Sequence, residues 1–456
     1  MATLSLCLAE ARAILAGLEQ TIVELSSGQV RIKGQFPSFR YILFVLFILK
    51  TVGMELLSSV NAHRRIAAVR CRLRLACARR FAVFKKRLHA AMTSSFHSAK
   101  LSFLRFGFVI LPLWVPGLLI AAPKPALPAY VLQDLSALDA TYPFHEGYAI
   151  NEWGDAVGVA SGVGLAPHAF LYRRRQLIDL GAKLNSPDSG ATSINALGEV
   201  VGYFIGNLTL GTTAPTLGFL YAGCRPQTVK VGSIGNDAIA INNLGEIVGI
   251  FNDASGHGHG YLRKQDGKIV ELTALASLGA TDVDPVAIND WGQVAGWYYG
   301  PKSGAFLTQP GGAAPKDLGT LGGLYSTAAL GVNDLGQVVG YSAVGDNAQH
   351  GFLYAGGAMH DLGTLGGPNS WAYGINNWGE IVGWSDPAGG GETRAWVYLR
   401  GQMRDLNDLL SPASKAWTVF EGRSINDRGR ILANATNDNF TTVHAVILTP
   451  ECKRER

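Results

Sequence analysis

Four carboxylates share one position of a repeat. Glu146, Asp237, Asp284 and Glu421 each stand five residues before an asparagine that recurs seven times, at Asn151, Asn195, Asn242, Asn289, Asn333, Asn376 and Asn426. The other three units place Gly190, Ala328 and Trp371 there, and His145 and Asp282 lie close to the acids in sequence. Carboxylate oxygens are hard ligands, so four of them gathered at one mouth of a ring would hold a divalent cation such as calcium, or a cationic organic ligand. The competing explanation is a set of solvated loop acids, because Asp and Glu are ordinary turn residues. Apart from calcium, no cofactor is indicated.

Three other groups could do chemistry. His145, Glu146 and Arg423 break the repeat pattern and could form an acid, base and cation group at the channel mouth of a hydrolase or lyase acting on an extracellular polymer. His168, His259, His350 and His444 share one repeat position, and His257 joins them in the run GHGHG at 256–260. A metal needs three or four converging ligands, which histidines spread over separate units do not supply, so hydrogen-bonded structural histidines are expected. Trp153, Trp291 and Trp378 could stack on sugar rings, but Leu197, Leu244, Leu335 and Arg428 take the same place elsewhere, which points to packing. No nucleophile elbow, phosphate loop, HExxH or paired CxxC occurs.

The elements that must position these residues follow from the repeat. The anchor asparagines are separated by 44, 47, 47, 44, 43 and 50 residues, the period of propeller blades. Each Asn is followed three residues later by Gly, from Gly154 to Gly429, the makings of a tight hairpin. Two residues before each Asn stands a small residue (Ala149, Ser193, Ala240, Ala287, Gly331, Gly374, Ser424), as the crowded inner strand of a radial sheet requires. A third strand carries Phe170, Phe219, Tyr261, Phe306, Phe352, Trp396 or Val446 after a small residue, and a fourth often ends in Asp-Leu. The seventh unit lacks its fourth strand, and residues 130–135 (YVLQDL) precede the first unit as an unattached one. Joining them makes a ring with no open edge. The reading is all-β: a seven-bladed β-propeller of four-stranded antiparallel blades over 129–449, closed by an N-terminal strand and preceded by a helical, partly hydrophobic region.

HAFLY at 168–172, DLGTLGG at 317–323 and 361–367, and INNLGEIVG and INNWGEIVG at 241–249 and 375–383 together resemble the HAF family of bacterial extracellular repeat proteins. The resemblance covers about 129–449. It implies export and brings no activity or ligand with it. The seventh unit departs, with Ala433 in place of the strand glycine and Val446 in place of the aromatic.

Charge divides the chain. Residues 1–122 carry 17 Lys and Arg against 4 Asp and Glu, whereas 123–456 carry 22 against 30. The repeat body is therefore mildly acidic, which argues against nucleic acid as a partner. The basic stretch runs into the apolar segment 106–122, and 92–122 has the basic start, apolar middle and small-residue exit of a secretory signal or signal-anchor. Residues 1–91 then form a basic extension upstream of a start at Met92, with a second short apolar run at 41–53. The repeat body is expected outside the inner membrane, in the periplasm, at the surface or beyond it, released or tethered through 104–122. It is expected to be a monomer binding a glycan or protein ligand. Cys224 and Cys452 are its two cysteines, and their spacing does not say whether they pair.

Overall fold

The computed structural model describes residues 127–136, 142–206, 215–223, 225–231, 236–323, 326–345 and 348–451. The extension 1–91, the signal segment 92–122, their expected helices, Cys224 and Cys452 lie outside the described residues. Among the described residues no helix is long and apolar enough to cross a membrane.

The described chain folds as seven four-stranded antiparallel sheets arranged as a propeller. Blades one to six occupy 144–179, 189–229, 236–271, 282–317, 327–361 and 366–405, each with its strands in sequence order. Blade seven has the three strands Thr418–Ile425, Ile431–Thr436 and His444–Glu451. Its outer strand is Ala129–Asp134, which pairs antiparallel with His444–Glu451 from Ala129 opposite Glu451 to Asp134 opposite Val446. Tyr130, 2% exposed, pins that strand into the apolar cluster of blade seven with Leu410, Val419 and Leu448. Each innermost strand touches the innermost strands on both sides, Phe144–Ile150 against Thr418–Ile425 included.

The anchor asparagine explains the inner hairpin. In blade three, Asn242 Oδ1 accepts from the backbone N–H of Leu244 at 3.1 Å and Glu246 at 2.9 Å. The glycine three residues after each anchor takes φ between 69° and 84°, the left-handed region in which a side chain would be strained. The amide nitrogen does something else. Asn151 Nδ2 donates to the carbonyl of Asn195, Asn195 to that of Asn242, and so on through Asn289, Asn333, Asn376 and Asn426, whose Nδ2 returns to Asn151. All seven bonds measure 2.9–3.2 Å. The asparagines thus form a closed hydrogen-bonded belt, and each is only 3–4% exposed.

The residue after each anchor adds a second belt. The backbone N–H groups of Ala196, Asn243, Asp290, Asp334, Asn377 and Asp427 each donate to a side-chain oxygen of the next blade at 2.7–3.0 Å. Ala196 has no side-chain acceptor, and there Trp153 Nε1 donates to its carbonyl at 2.8 Å. Trp291 and Trp378 bond in the same way to the carbonyls of Asp334 and Asp427. The packing expected of these tryptophans does not hold for two of them. Trp153 and Trp378 are 56% and 76% exposed, held by the indole N–H rather than by burial.

The core lies between blades. One cluster joins Val157, Ala169 and Leu171 of blade one to Ala191, Val200 and Phe219 of blade two. The third-strand aromatics from Phe170 to Trp396 are at most 1% exposed, each contributing about 1.5–3 kcal/mol by burial. Small residues beside the anchor let inner strands meet: a Cβ on Gly374 would lie 3.1 Å from Ser424 Cα.

Candidate functional site

Every innermost strand carries a β-bulge three residues before its anchor, where the register to the second strand skips one residue. A bulge leaves one residue without a partner and re-aims its side chain. The seven residues so placed are Tyr148, Thr192, Ile239, Val286, Leu330, Tyr373 and Arg423. The bulge sits next to the strand glycine of the repeat. A Cβ on Gly158, Gly249 or Gly340 would fall 1.8–1.9 Å from the carbonyl oxygen of Glu146, Asp237 or Ala328 respectively. Blade seven has Ala433 instead, and its inner strand adds a second register skip between Val419 and Glu421.

The position five before the anchor lies further from the hairpin and pairs with a second-strand residue: Glu146 with Val159, Gly190 with Tyr203, Asp237 with Ile250, Asp284 with Trp297, Ala328 with Tyr341, Trp371 with Trp384, Glu421 with Asn434. These pairs and the bulge residues form the mouth at the end away from the asparagine belt. Its two sides differ.

On blades six, seven and one the side chains interlock. Arg423 lies over the rings of Tyr373 and Tyr148, its guanidinium carbon 4.3 and 5.0 Å from their centroids. Its Nη1 donates to Glu421 at 3.2 Å, and the other Glu421 oxygen accepts from Asn434 Nδ2 at 2.9 Å. Tyr148 donates its hydroxyl to Glu146 at 3.0 Å. Burial alone would lower the Arg423 pKa, but Glu421 and the two phenols outweigh it and hold it above its ordinary value. Burial, with Glu421 nearby, pushes the Tyr373 phenol up to about 12. Trp371 stacks on Tyr341 of blade five at 4.1 Å and 13°, and Trp384 leans against it at 5.4 Å.

On blades three and four, Asp237 and Asp284 share a cavity of about 450 Å³ with Asn236, Ile250, Asn252 and Thr216. Burial raises the pKa of both acids; for Asp284 the Trp297 indole offsets part of it. Asp237 Oδ1 is buried with no hydrogen-bond partner among the described residues.

The four expected carboxylates share a register position on their innermost strands but have separate settings: Glu421 bonds to Arg423, Glu146 accepts from the Tyr148 hydroxyl, and Asp237 and Asp284 line the cavity. Among the described residues no three or more His, Cys, Asp or Glu are placed to hold one metal ion. His145 does not join Glu146 and Arg423; it is fully buried, its ring 5.9 Å from that of Phe170. The four repeat histidines are hydrogen-bonded as expected. His168, His259 and His350 bond to Asp179, Glu271 and Asp361 on the fourth strands of their own blades, and His444 bonds to Asp134 on the N-terminal strand. His257 and His259 both face Asp253. Missed from the sequence were the bulge residues Tyr148 and Tyr373. The available signal was a position that takes six residue types in seven units, between two that hold mostly small residues.

No family model matches the chain, and no curated relative matches it. Solved structures do. TolB from Acinetobacter baumannii is 14% identical over 64% of this chain and 79% of its own, with a TM-score of 0.35. The β-propeller domain of the Trilobed protease from Pyrococcus furiosus, described as having an open velcro topology, is 7% identical over 68% and 93%, with a TM-score of 0.45. A gluconolactonase from Xanthomonas campestris is 13% identical over 73% and 99%, with a TM-score of 0.32.

Proposed function

We propose that this protein is an exported, non-catalytic propeller of the HAF type that binds an extracellular or cell-surface ligand at the mouth away from the asparagine belt. One observation carries the reading. The belt end repeats the same bonds blade after blade, whereas the bulges deliver six kinds of side chain from seven blades, tyrosine alone occurring twice. A ring that needed only to hold itself together would gain nothing from that variety, and a binding site needs it. In this reading the chain's own first strand closes the ring. A helical, partly hydrophobic segment directs export, and 92–122 is removed as a signal or 104–122 is kept as a tether.

N-terminal sequencing of the mature protein from the exported fraction tests the location: a first residue just after Ala122, or an intact membrane-bound chain, is expected. Recovery of the protein in the cytoplasm alone would overturn it. For the site, calcium, a glycan panel and surface extracts are titrated against the wild type and an Asp237→Asn, Asp284→Asn, Arg423→Lys triple variant. Binding lost in the variant is expected; equal binding would remove the mouth from the account.

A second reading, a hydrolase or lyase acting on an extracellular polymer, has Asp237 and Asp284 in its favour. Burial raises the pKa of both carboxyls beside a cavity of about 450 Å³, the direction a general acid requires. Release of reducing ends from a polysaccharide, lost in Asp237→Asn, would establish it. A flat trace across a panel of polymers would dismiss it.

A further inference from the structure

The aromatic and charged half of the mouth has a chemistry narrower than binding in general. Around Arg423 stand unlike polar groups, the guanidinium N–H, the Glu421 carboxylate and the Tyr148 phenol, with Asn434, 1% exposed, holding Glu421 and the Gly147 N–H from behind. Among the described residues the guanidinium donates one hydrogen bond, from Nη1 to Glu421, while two phenol rings cover its faces. Beside this set, the indole N–H groups of Trp371 and Trp384 are already bonded, to Gln349 Oε1 at 2.9 Å and the Tyr373 hydroxyl at 3.3 Å. Both rings are therefore fixed in place and half-buried, with Tyr341 stacked on one face of Trp371 and the indole donors already used.

We infer that this half of the mouth takes the pyranose rings of a neutral oligosaccharide, an assignment that rests on the binding role proposed above. Neighbouring hydroxyls on a pyranose are each donor and acceptor, so one pair meets a guanidinium and a carboxylate together. The C–H face of the same ring is apolar and fits a fixed aromatic side chain. Other occupants fit less well. A metal ion lacks a converging ligand set among the described residues, an anionic ligand meets Glu146 and Glu421, and a cationic one meets Arg423.

The test is intrinsic tryptophan fluorescence of the full chain, titrated with cellohexaose, xylohexaose, mannohexaose, maltohexaose and chitohexaose. At least one should give a saturable change. Arg423→Lys keeps the charge but loses the planar fork, and should weaken that affinity about tenfold. Tyr373→Phe, which removes only a hydroxyl, should weaken it about threefold, and serves if the arginine variant fails to fold. Trp378→Leu, at the other end of the ring and matched by Leu335 in blade five, should leave affinity unchanged. Silence from all five sugars overturns the inference. If calcium or a basic peptide then gives an Arg423-dependent signal, the mouth survives as a binding site and only the sugar falls. Sugar binding that resists both Arg423→Lys and Tyr373→Phe but is lost in Trp378→Leu overturns the site and the ligand together.

Discussion

An asparagine buried to 3–4% exposure must spend all of its hydrogen-bonding capacity, and each anchor does so with its own hairpin and with the next blade. Asn242→Ala would strand the N–H groups of Leu244 and Glu246 and the carbonyl of Asn289. At about 1–3 kcal/mol for each orphaned buried group, a loss of about 3 kcal/mol or more is expected in urea denaturation. Asn242→Asp keeps the acceptor, loses the donor and adds charge beside Glu246, so its penalty should shrink as the pH is lowered. A second prediction concerns His259, whose pKa is raised above 6.5 chiefly by its bond to Glu271, with Asp253 contributing. The stability it supplies is complete below 6.5 and is lost as pH rises through its folded value. Asp253 is held down to about 2, chiefly by the His257 backbone N–H, so its share is present above 3.8 and lost as pH falls through about 2. The gap in melting temperature between the wild type and His259→Gln should therefore close as pH rises above 6.5 through the folded value of His259.

Among elements, the strand glycine and the bulge form one device. The carbonyl five before the anchor lies where a Cβ of the facing glycine would be, so Gly340→Ala must push on Ala328 and should cost about 1–3 kcal/mol. Ala433→Gly in blade seven, where a side chain is already accommodated, should cost no more than about 1 kcal/mol. Urea midpoints of the two variants give the comparison. The hairpins, the small inner residues and the buried aromatic of the third strand were legible because each depends on residues a few places apart. The bulges were not, because an extra residue in a strand changes the side-chain direction without changing the residue types on either side. Nor was the pairing of His168 with Asp179: both residues were conspicuous, but only the register between their strands puts them 3.0 Å apart.

For the whole molecule the least local contacts decide the outcome. Asn426 reaches Asn151 across 275 residues, and Asp134 reaches His444 across 310. The first is invisible in sequence even though both asparagines are obvious, since nothing in an Asn-x-x-Gly turn says where its amide points. Tyr130→Ala tests the junction of first and last strands. Losing this buried ring should cost about 3–5 kcal/mol and free a sheet edge, so light scattering should report association well below the melting temperature. Repair by a disulfide between Val131→Cys and Thr449→Cys, which face each other in the register, would tie that association to the edge. The asparagine belt has a further consequence. Every unit gives one bond forward and receives one from behind, so each link carries its own fastening and needs no bespoke neighbour. A tandem copy of one such link arrives ready to engage, and afterwards only its re-aimed residue at the far rim must diverge. Such a chain can lengthen by duplication and specialise by single substitutions, with the two processes acting at opposite ends of the wheel.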